Sequence, residues 1–482
     1  MKQNIYKYLI CVVLFFTATQ SFCYGSILVR DVLIDIDSLS SLIDSVNAGL
    51  KPHLKIIELP YNPQKYVVSK KASDNSVYKN KMRKVVVESK LVEEILLSKK
   101  DSLLPIVTNP IKHKLQIIFT QVNRDEHNIP TLVEHKYLVD DKKYFYPASL
   151  VKLPLCALAL QKLNELNNKD VNMATPMFTD ALPNTCQTKS FYDSSAHNYY
   201  PSIEHYIKKM LLVSDNNAYS RTYEFLGRDY IHDRLSEIGL QKVVIRHRFD
   251  PNCTDANNAI SNPIYFIKNP ETVYKQAQFI SKLKYTKPTY NAFVGKAHIN
   301  HVGKKIMQPK NFGTMNYFRL KDVDGVLKRL IFPESFIPEN RFNLTSGDYI
   351  FLRKYMSMLP RESAFPQYPD SLYEDSYKKY LLYGNVHGKM QNDSIRIFNI
   401  VGQSYGFLSD CAYIVDFKNG VEFFLSVVIY VNENKVINDG IYEYKNLGFP
   451  FLTKLGKTFY DYELKRKKEH APDLHDFIFE YK

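Results

Sequence analysis

The stretch that decides the fold is Tyr144-Phe145-Tyr146-Pro147-Ala148-Ser149-Leu150-Val151-Lys152-Leu153-Pro154, YFYPASLVKLP. Apolar residues continue at helical spacing from here to Leu166, which predicts a long helix with Ser149 at its start. Lys152 lies three residues on, one turn later on the same face. A serine hydroxyl is a weak nucleophile until a neighbouring base takes its proton. A lysine becomes such a base when burial or nearby positive charge lowers its pKa. The helix N-terminus also favours the negative charge that develops beside the serine. A bare Ser-x-x-Lys equally describes a helix-cap serine; here a strand pair precedes it and Pro147-Ala148 fixes the entry.

Outward from that helix, the chain reads as strands, a long helical block, strands again and a last helix. Leu115–Thr120 is a β-rich run, Asn123–Ile129 a polar turn, and Thr131–Leu138 its partner strand. Ser202–Val213 and Arg319–Leu330 read as helices within the block. Ala412–Phe417 and Val421–Val431 flank Lys418-Asn419-Gly420, a hairpin signal. Pro450–Leu464 repeats apolar residues at helical spacing. The expected fold is α/β: one antiparallel sheet, flanked by N- and C-terminal helices, beside a largely helical second lobe. The organisation expected is a signal peptide over 1–25, an N-terminal extension over 26–110 and a catalytic domain over 111–482. That domain takes strands from 112–138 and 395–431 and its helical lobe from 147–390.

The 482 residues are 45% hydrophobic and 24% charged, which excludes a disordered chain. Lys2 and Lys7 before the apolar run Tyr8–Ala18 read as a secretory signal, too short for a retained span. Cleavage near Cys23 or Gly25 sends the mature chain out of the cytoplasm, to a periplasmic or other extracytoplasmic location; a lipoprotein anchored at Cys23 is the alternative. No transmembrane anchor is expected after cleavage. The six cysteines exclude a disulfide-stapled miniature; Cys156 and Cys411 read as core thiols, and Cys186 and Cys253 are free to pair. His298 and His301 lack a third ligand, so neither a metal nor a cofactor is expected. The formal charge of +14 includes the run Lys465-Arg466-Lys467-Lys468, read as a solvated helix end, and no nucleic-acid signature accompanies it. A monomer is expected.

Ser214-Asp215-Asn216 follows the helix ending at Val213, one helical hairpin after Ser149, where a second hydroxyl and an amide can face the first serine. PASLVKLP followed by SDN, in a sheet–helices–sheet order, resembles the class A β-lactamase and penicillin-binding serine hydrolase superfamily, and most of all its large exported members. The resemblance runs from about Lys112 to the C-terminus. It implies an acyl-enzyme hydrolase of the β-lactamase type, acting on β-lactams or cell-wall peptides and hence linked to antibiotic resistance. Ser149 would be nucleophile, Lys152 general base and Ser214 proton relay. Asn216 would orient substrate, with Gly402 and Gln403 lining it and the N–H groups of Ser149 and Gln403 forming an oxyanion hole.

Two departures accompany the resemblance. The family's third motif is Lys-Ser/Thr-Gly, and here Ile400-Val401-Gly402 stands in its place. The cation that meets a substrate carboxylate is thus missing from position 400; Arg396, on the same face of a regular strand, is the substitute considered. Class A enzymes also use a glutamate after the SDN motif to activate water. Between Glu237 and Glu271 the available carboxylates are Asp250 and Asp255, either a candidate deacylation base. Without such a base the protein would act as a slow penicillin-binding carboxypeptidase or esterase, and Ile400 keeps a non-catalytic binding protein as a further alternative.

Overall fold

In the computed structural model, the β-rich runs assemble into a six-stranded sheet. The structure describes residues 84–87, 90–103, 106–183, 185–286, 288–390 and 392–481, with 84–87 as backbone alone. The expected signal peptide, Cys23 and most of the extension lie outside the described residues. The strands are β1 (Lys84–Val87), β2 (Gln116–Arg124), β3 (Pro130–Tyr137), β4 (Ile395–Ser404), β5 (Phe407–Asp416) and β6 (Val421–Tyr430). Their order across the sheet is β1-β3-β2-β6-β5-β4. All pairs are antiparallel except β1 on β3, which is parallel. The sheet is therefore mixed at one edge, and the extension supplies that edge strand.

Alternation along β2 separates two cores. Ile118 and Val122 face a cluster that includes Leu153, Leu155, Val323 and Leu327. Ile117 and Phe119 face the other, with Val92, Ile95, Phe451, Leu455 and Phe459. The outer layer is helix α1 (Leu91–Ser98) together with the C-terminal helix Phe449–Lys465. The inner layer contains α2 (Lys152–Leu166), α3 (Ile203–Val213), α4 (Asn216–Leu226), α5 (Leu320–Ile331) and α6 (Ser346–Ser357). Helix α2 is apolar on every side and its residues Leu153–Leu160 are all buried, as a central helix requires. Pro154 is tolerated because it falls in the first turn, where its missing N–H has no partner to lose. Among the described residues, no helix is long and apolar enough to cross a membrane.

The early and late strands of the sheet are tied by a buried charge pair. Arg124 on β2 donates through Nε and Nη2 to Glu422 on β6 at 2.7 and 2.8 Å, 298 residues away. The Tyr413 hydroxyl donates to the same carboxylate at 2.7 Å, so its oxygens are satisfied within the core.

The largely helical reading of 147–390 needs correction over its middle. Met177–Thr179, Ile264–Lys268 and Glu271–Gln276 form a small antiparallel sheet, and short strands recur to Lys310–Asn311. The runs IYFIK and ETVYKQ are rich in β-branched and aromatic residues, and burial alternates along the first, which suits a half-buried pleat rather than a helix. Cys186 and Cys253 form a disulfide, and Cys156 and Cys411 are free thiols in the core.

Candidate active site

Ser149 sits in a 3-10 turn, Ala148–Val151, that runs directly into α2. Ala148 adopts φ +48°, a left-handed conformation that costs a non-glycine residue of order 1 kcal/mol. The turn is clamped from the sheet side. A Cβ on Gly402 of β4 would lie 2.5 Å from the Pro147 carbonyl oxygen and 2.6 Å from Ser409 Oγ. Only glycine lets the strand approach the Ser149 turn this closely.

The second wall is the α3–α4 hairpin. Helix α3 starts at a Ser202 cap, whose hydroxyl accepts from His205 N–H, and ends at Ser214, which takes φ +58°. Asp215 then caps α4 by accepting from Ala218 N–H at 2.7 Å. This tight reversal aims Ser214 and Asn216 at the start of α2.

Lys152 is where the walls meet. Its Nζ is 2.9 Å from Ser149 Oγ, 2.9 Å from Ser214 Oγ, 2.5 Å from the Ser214 carbonyl oxygen and 2.8 Å from Asn216 Oδ1. The side chain is fully buried. Burial, and then the nearby charge of Lys378, hold its pKa well below the ordinary lysine range. The contact set agrees with a neutral amine. An ammonium has three donors and no lone pair, yet four oxygens surround Nζ. The Ser214 carbonyl and Asn216 Oδ1 can only accept, so they take the two N–H bonds of the amine. Its lone pair is left for a hydroxyl proton, from Ser149 or Ser214.

Gln403 follows Gly402 on β4, the outer strand at this edge. Ile397 on the same strand turns its carbonyl off that edge, where it accepts from Lys379 Nζ at 2.9 Å. Backbone groups alternate sides along an antiparallel strand. The register of β4 is unbroken from Ile395 to Ser404, so the Gln403 N–H, six residues on, points off the same edge. A backbone donor is thus directed outward beside the Ser149 turn without any help from position 400.

The structure brings Ser149, Lys152, Ser214, Asn216, Gly402 and Gln403 to one place. It treats the two aspartates differently. Asp255 is bound by Arg228 Nη2 at 2.7 Å and Arg246 Nη2 at 2.8 Å. Hydrogen bonding from Arg246, followed by that from Arg228, holds its pKa at about 2. Asp255 is therefore corrected from candidate base to structural anchor, since a carboxylate so held takes up a proton poorly. Among the described residues, Asp250 accepts through its side chain only from the Asn252 N–H, at 2.9 Å. It directly follows Phe249, whose ring centroid is 5.3 Å from Lys152 Nζ.

Arg396 is likewise corrected. Both of its terminal nitrogens bond Glu362 at 2.9 Å, and its guanidinium lies over the Tyr481 ring. It does not serve as the missing cation. Ile400 is buried among the inner core residues, as its side chain suits. Phe249, stacked on Tyr219 at 4.3 Å and close to Lys152, had no signal in the sequence, nor had Lys378, whose charge lowers the Lys152 pKa.

Residues 112–285 match a family described as the Beta-lactamase enzyme family. That segment, which carries the Ser149 turn and the Ser214 hairpin, is similar to this family. Among solved structures, a β-lactamase from Sphaerobacter thermophilus DSM 20745 is 8% identical, with 76% of this chain and 96% of that one covered and a TM-score of 0.39. The class A β-lactamase from Clostridium kluyveri DSM 555 is 11% identical, covering 77% and 98%, with a TM-score of 0.37. The protein PBP-A is 12% identical, covering 79% and 97%, with a TM-score of 0.43. No curated protein matches the chain.

Proposed function

We propose that the protein is an exported serine hydrolase that works by acyl transfer. Ser149 attacks the carbonyl of a β-lactam or a related cell-wall amide, and Lys152 takes the Ser149 proton. Ser214 passes a proton to the departing nitrogen while Asn216 orients the substrate amide. The developing oxyanion is held by the Ser149 and Gln403 N–H groups. Water then frees the acyl group, with Asp250 as the remaining carboxylate of the loop after the hairpin.

The observation that carries this reading is the placement of one buried lysine nitrogen within 2.9 Å of both serine hydroxyls. Export is supported by the N-terminal signal pattern and by the Cys186–Cys253 disulfide, which suits an oxidising compartment. The loss of Asp255 as a base favours slow deacylation, closer to a penicillin-binding protein than to an efficient β-lactamase.

The test incubates the mature protein and Ser149→Ala with a fluorescent penicillin and a chromogenic cephalosporin. Serine-dependent turnover supports the hydrolase, and a stable serine-dependent label supports the slow form. Neither label nor turnover would sink the β-lactam assignment.

A further inference from the structure

Lys378 belongs to no motif, yet its ammonium stands at the site. The segment Tyr377–Leu381 crosses the outer edge of β4. At one end Tyr377 packs with Leu212, Val213 and Met358, next to the Ser214 turn. At the other, Tyr380 and Leu381 enter the opposite core. The crossing is firmly pinned. Asn399 Nδ2 donates to the Lys378 carbonyl at 2.8 Å. Asp410 accepts the N–H groups of Tyr380 and Leu381 at 3.1 and 3.0 Å. Lys379 buries its own amine against the Met356 and Ile397 carbonyls and Asn399 Oδ1. Lys378 itself is held at φ +62°, a conformation few side-chain-bearing residues adopt.

Such anchoring fixes where the Lys378 side chain goes. Its Nζ is 3.4 Å from the Tyr380 hydroxyl, which donates onward to Gln403 Oε1 at 3.0 Å. Its charge is also felt at Lys152. The ammonium therefore lies between the Gln403 strand end and the Ser214 turn. It is partly buried against the Tyr377 and Tyr380 rings, and no carboxylate pairs with it among the described residues. Burial alone lowers its pKa to about 8. Asp215, the acid of the adjacent turn, is already engaged with the Ala218 N–H and faces Lys209. An ammonium with three donors and one weak hydroxyl partner is poised for an external anion.

We propose that Lys378 receives the anionic group, a carboxylate or its equivalent, of the acyl donor that Ser149 attacks. The cation thus enters the site from a turn crossing the sheet edge, rather than from position 400 of β4. This assignment rests on the acyl-transfer reading, and it specifies the substrate class as an acyl donor carrying a negative charge.

The experiment compares a fluorescent penicillin, its carboxylate methyl ester and a neutral fluorophosphonate on the wild type, Lys378→Met, Lys378→Arg and Ser149→Ala. In the wild type, the acid should label Ser149 faster than the ester. Lys378→Met also removes a charge that keeps Lys152 unprotonated, so every probe slows by a common factor. Beyond that factor, the acid should lose about 10- to 100-fold relative to the ester, the worth of one charge-assisted hydrogen bond. Lys378→Arg should restore much of the preference. An unchanged acid-to-ester ratio in Lys378→Met would overturn the assignment while Ser149-dependent labelling left acyl transfer standing. Absence of Ser149-dependent labelling with all three probes would overturn both.

Discussion

Gly402→Ala tests how the sheet positions Ser149, the proposed nucleophile. The added methyl would lie 2.5 Å from the Pro147 carbonyl oxygen and 2.6 Å from Ser409 Oγ. The serine hydroxyl sits on a short side chain that can rotate, but the Pro147 oxygen is backbone and cannot. Restoring an ordinary 3.4 Å contact requires β4 and the Ala148–Val151 turn to part by about 0.9 Å. Overpacking of this kind costs about 1–3 kcal/mol, so the variant should fold with a melting temperature lower by several degrees. The chemistry should suffer more. The parting separates the Gln403 N–H from Ser149 Oγ, and a misplacement near 1 Å costs on the order of 100-fold in rate. Stopped-flow labelling with fluorescent penicillin measures the acylation rate, and calorimetry measures the stability. The double variant Gly402→Ala/Ser409→Ala removes the softer clash alone. It should regain part of the stability and none of the rate. If Gly402→Ala acylates at the wild-type rate, β4 does not abut the Ser149 turn in the way described.

Further outcomes follow from the same geometry. With Lys152 held well below the ordinary lysine range, the proposed neutral base makes acylation rise with pH through that lowered value and then level off, at a pH below that of an ordinary lysine. Lys378→Met should shift the rising limb to higher pH, read from pH–rate profiles of labelling. Asp255→Asn should leave the acyl-enzyme lifetime unchanged, whereas Asp250→Asn should lengthen it, as followed by release of the fluorescent label. The half-exposed Asp255 ion pairs should contribute less than about 1 kcal/mol, visible as a small fall in melting temperature. Paired Cys186→Ser/Cys253→Ser should cost about 4 kcal/mol by the chain-entropy relation for a separation of 67 residues, measured by denaturant titration.

The sequence made some of this readable because local pattern and tertiary demand agreed. Ser202 is a capping residue before an apolar-faced helix, and α3 starts where that predicts. Asn419-Gly420 lies between two β-rich runs, and the β5–β6 hairpin turns there, with Gly420 at φ +58°. Other features required the fold itself. KVVV at 84–87 is plainly β-forming, but nothing local says that it pairs in parallel with β3. Arg396 does occupy the face of Ile400, yet Glu362, far off in the chain, claims its charge. Ala148 has no intrinsic liking for a left-handed backbone; contacts around the turn impose it. Lys378 was invisible because its role comes from a crossing over a sheet edge, and no spacing rule links it to Ser149.

The division of the sheet has a consequence for the order in which the protein can come into being. Strands β2 and β3 are made early, but β2 finds its neighbour β6 only after the whole inner lobe has been synthesised; Phe119 pairs with Leu425. Nascent chains therefore carry Ser149, Lys152 and Ser214 long before Gly402 and Gln403 exist to close the edge beside them. Domains dominated by such distant pairings fold slowly, since the entropy of closing the loop precedes the reward. Any fragment ending before β4 would hold Ser149, Lys152 and Ser214 without the outward Gln403 N–H that the proposed acyl transfer calls on.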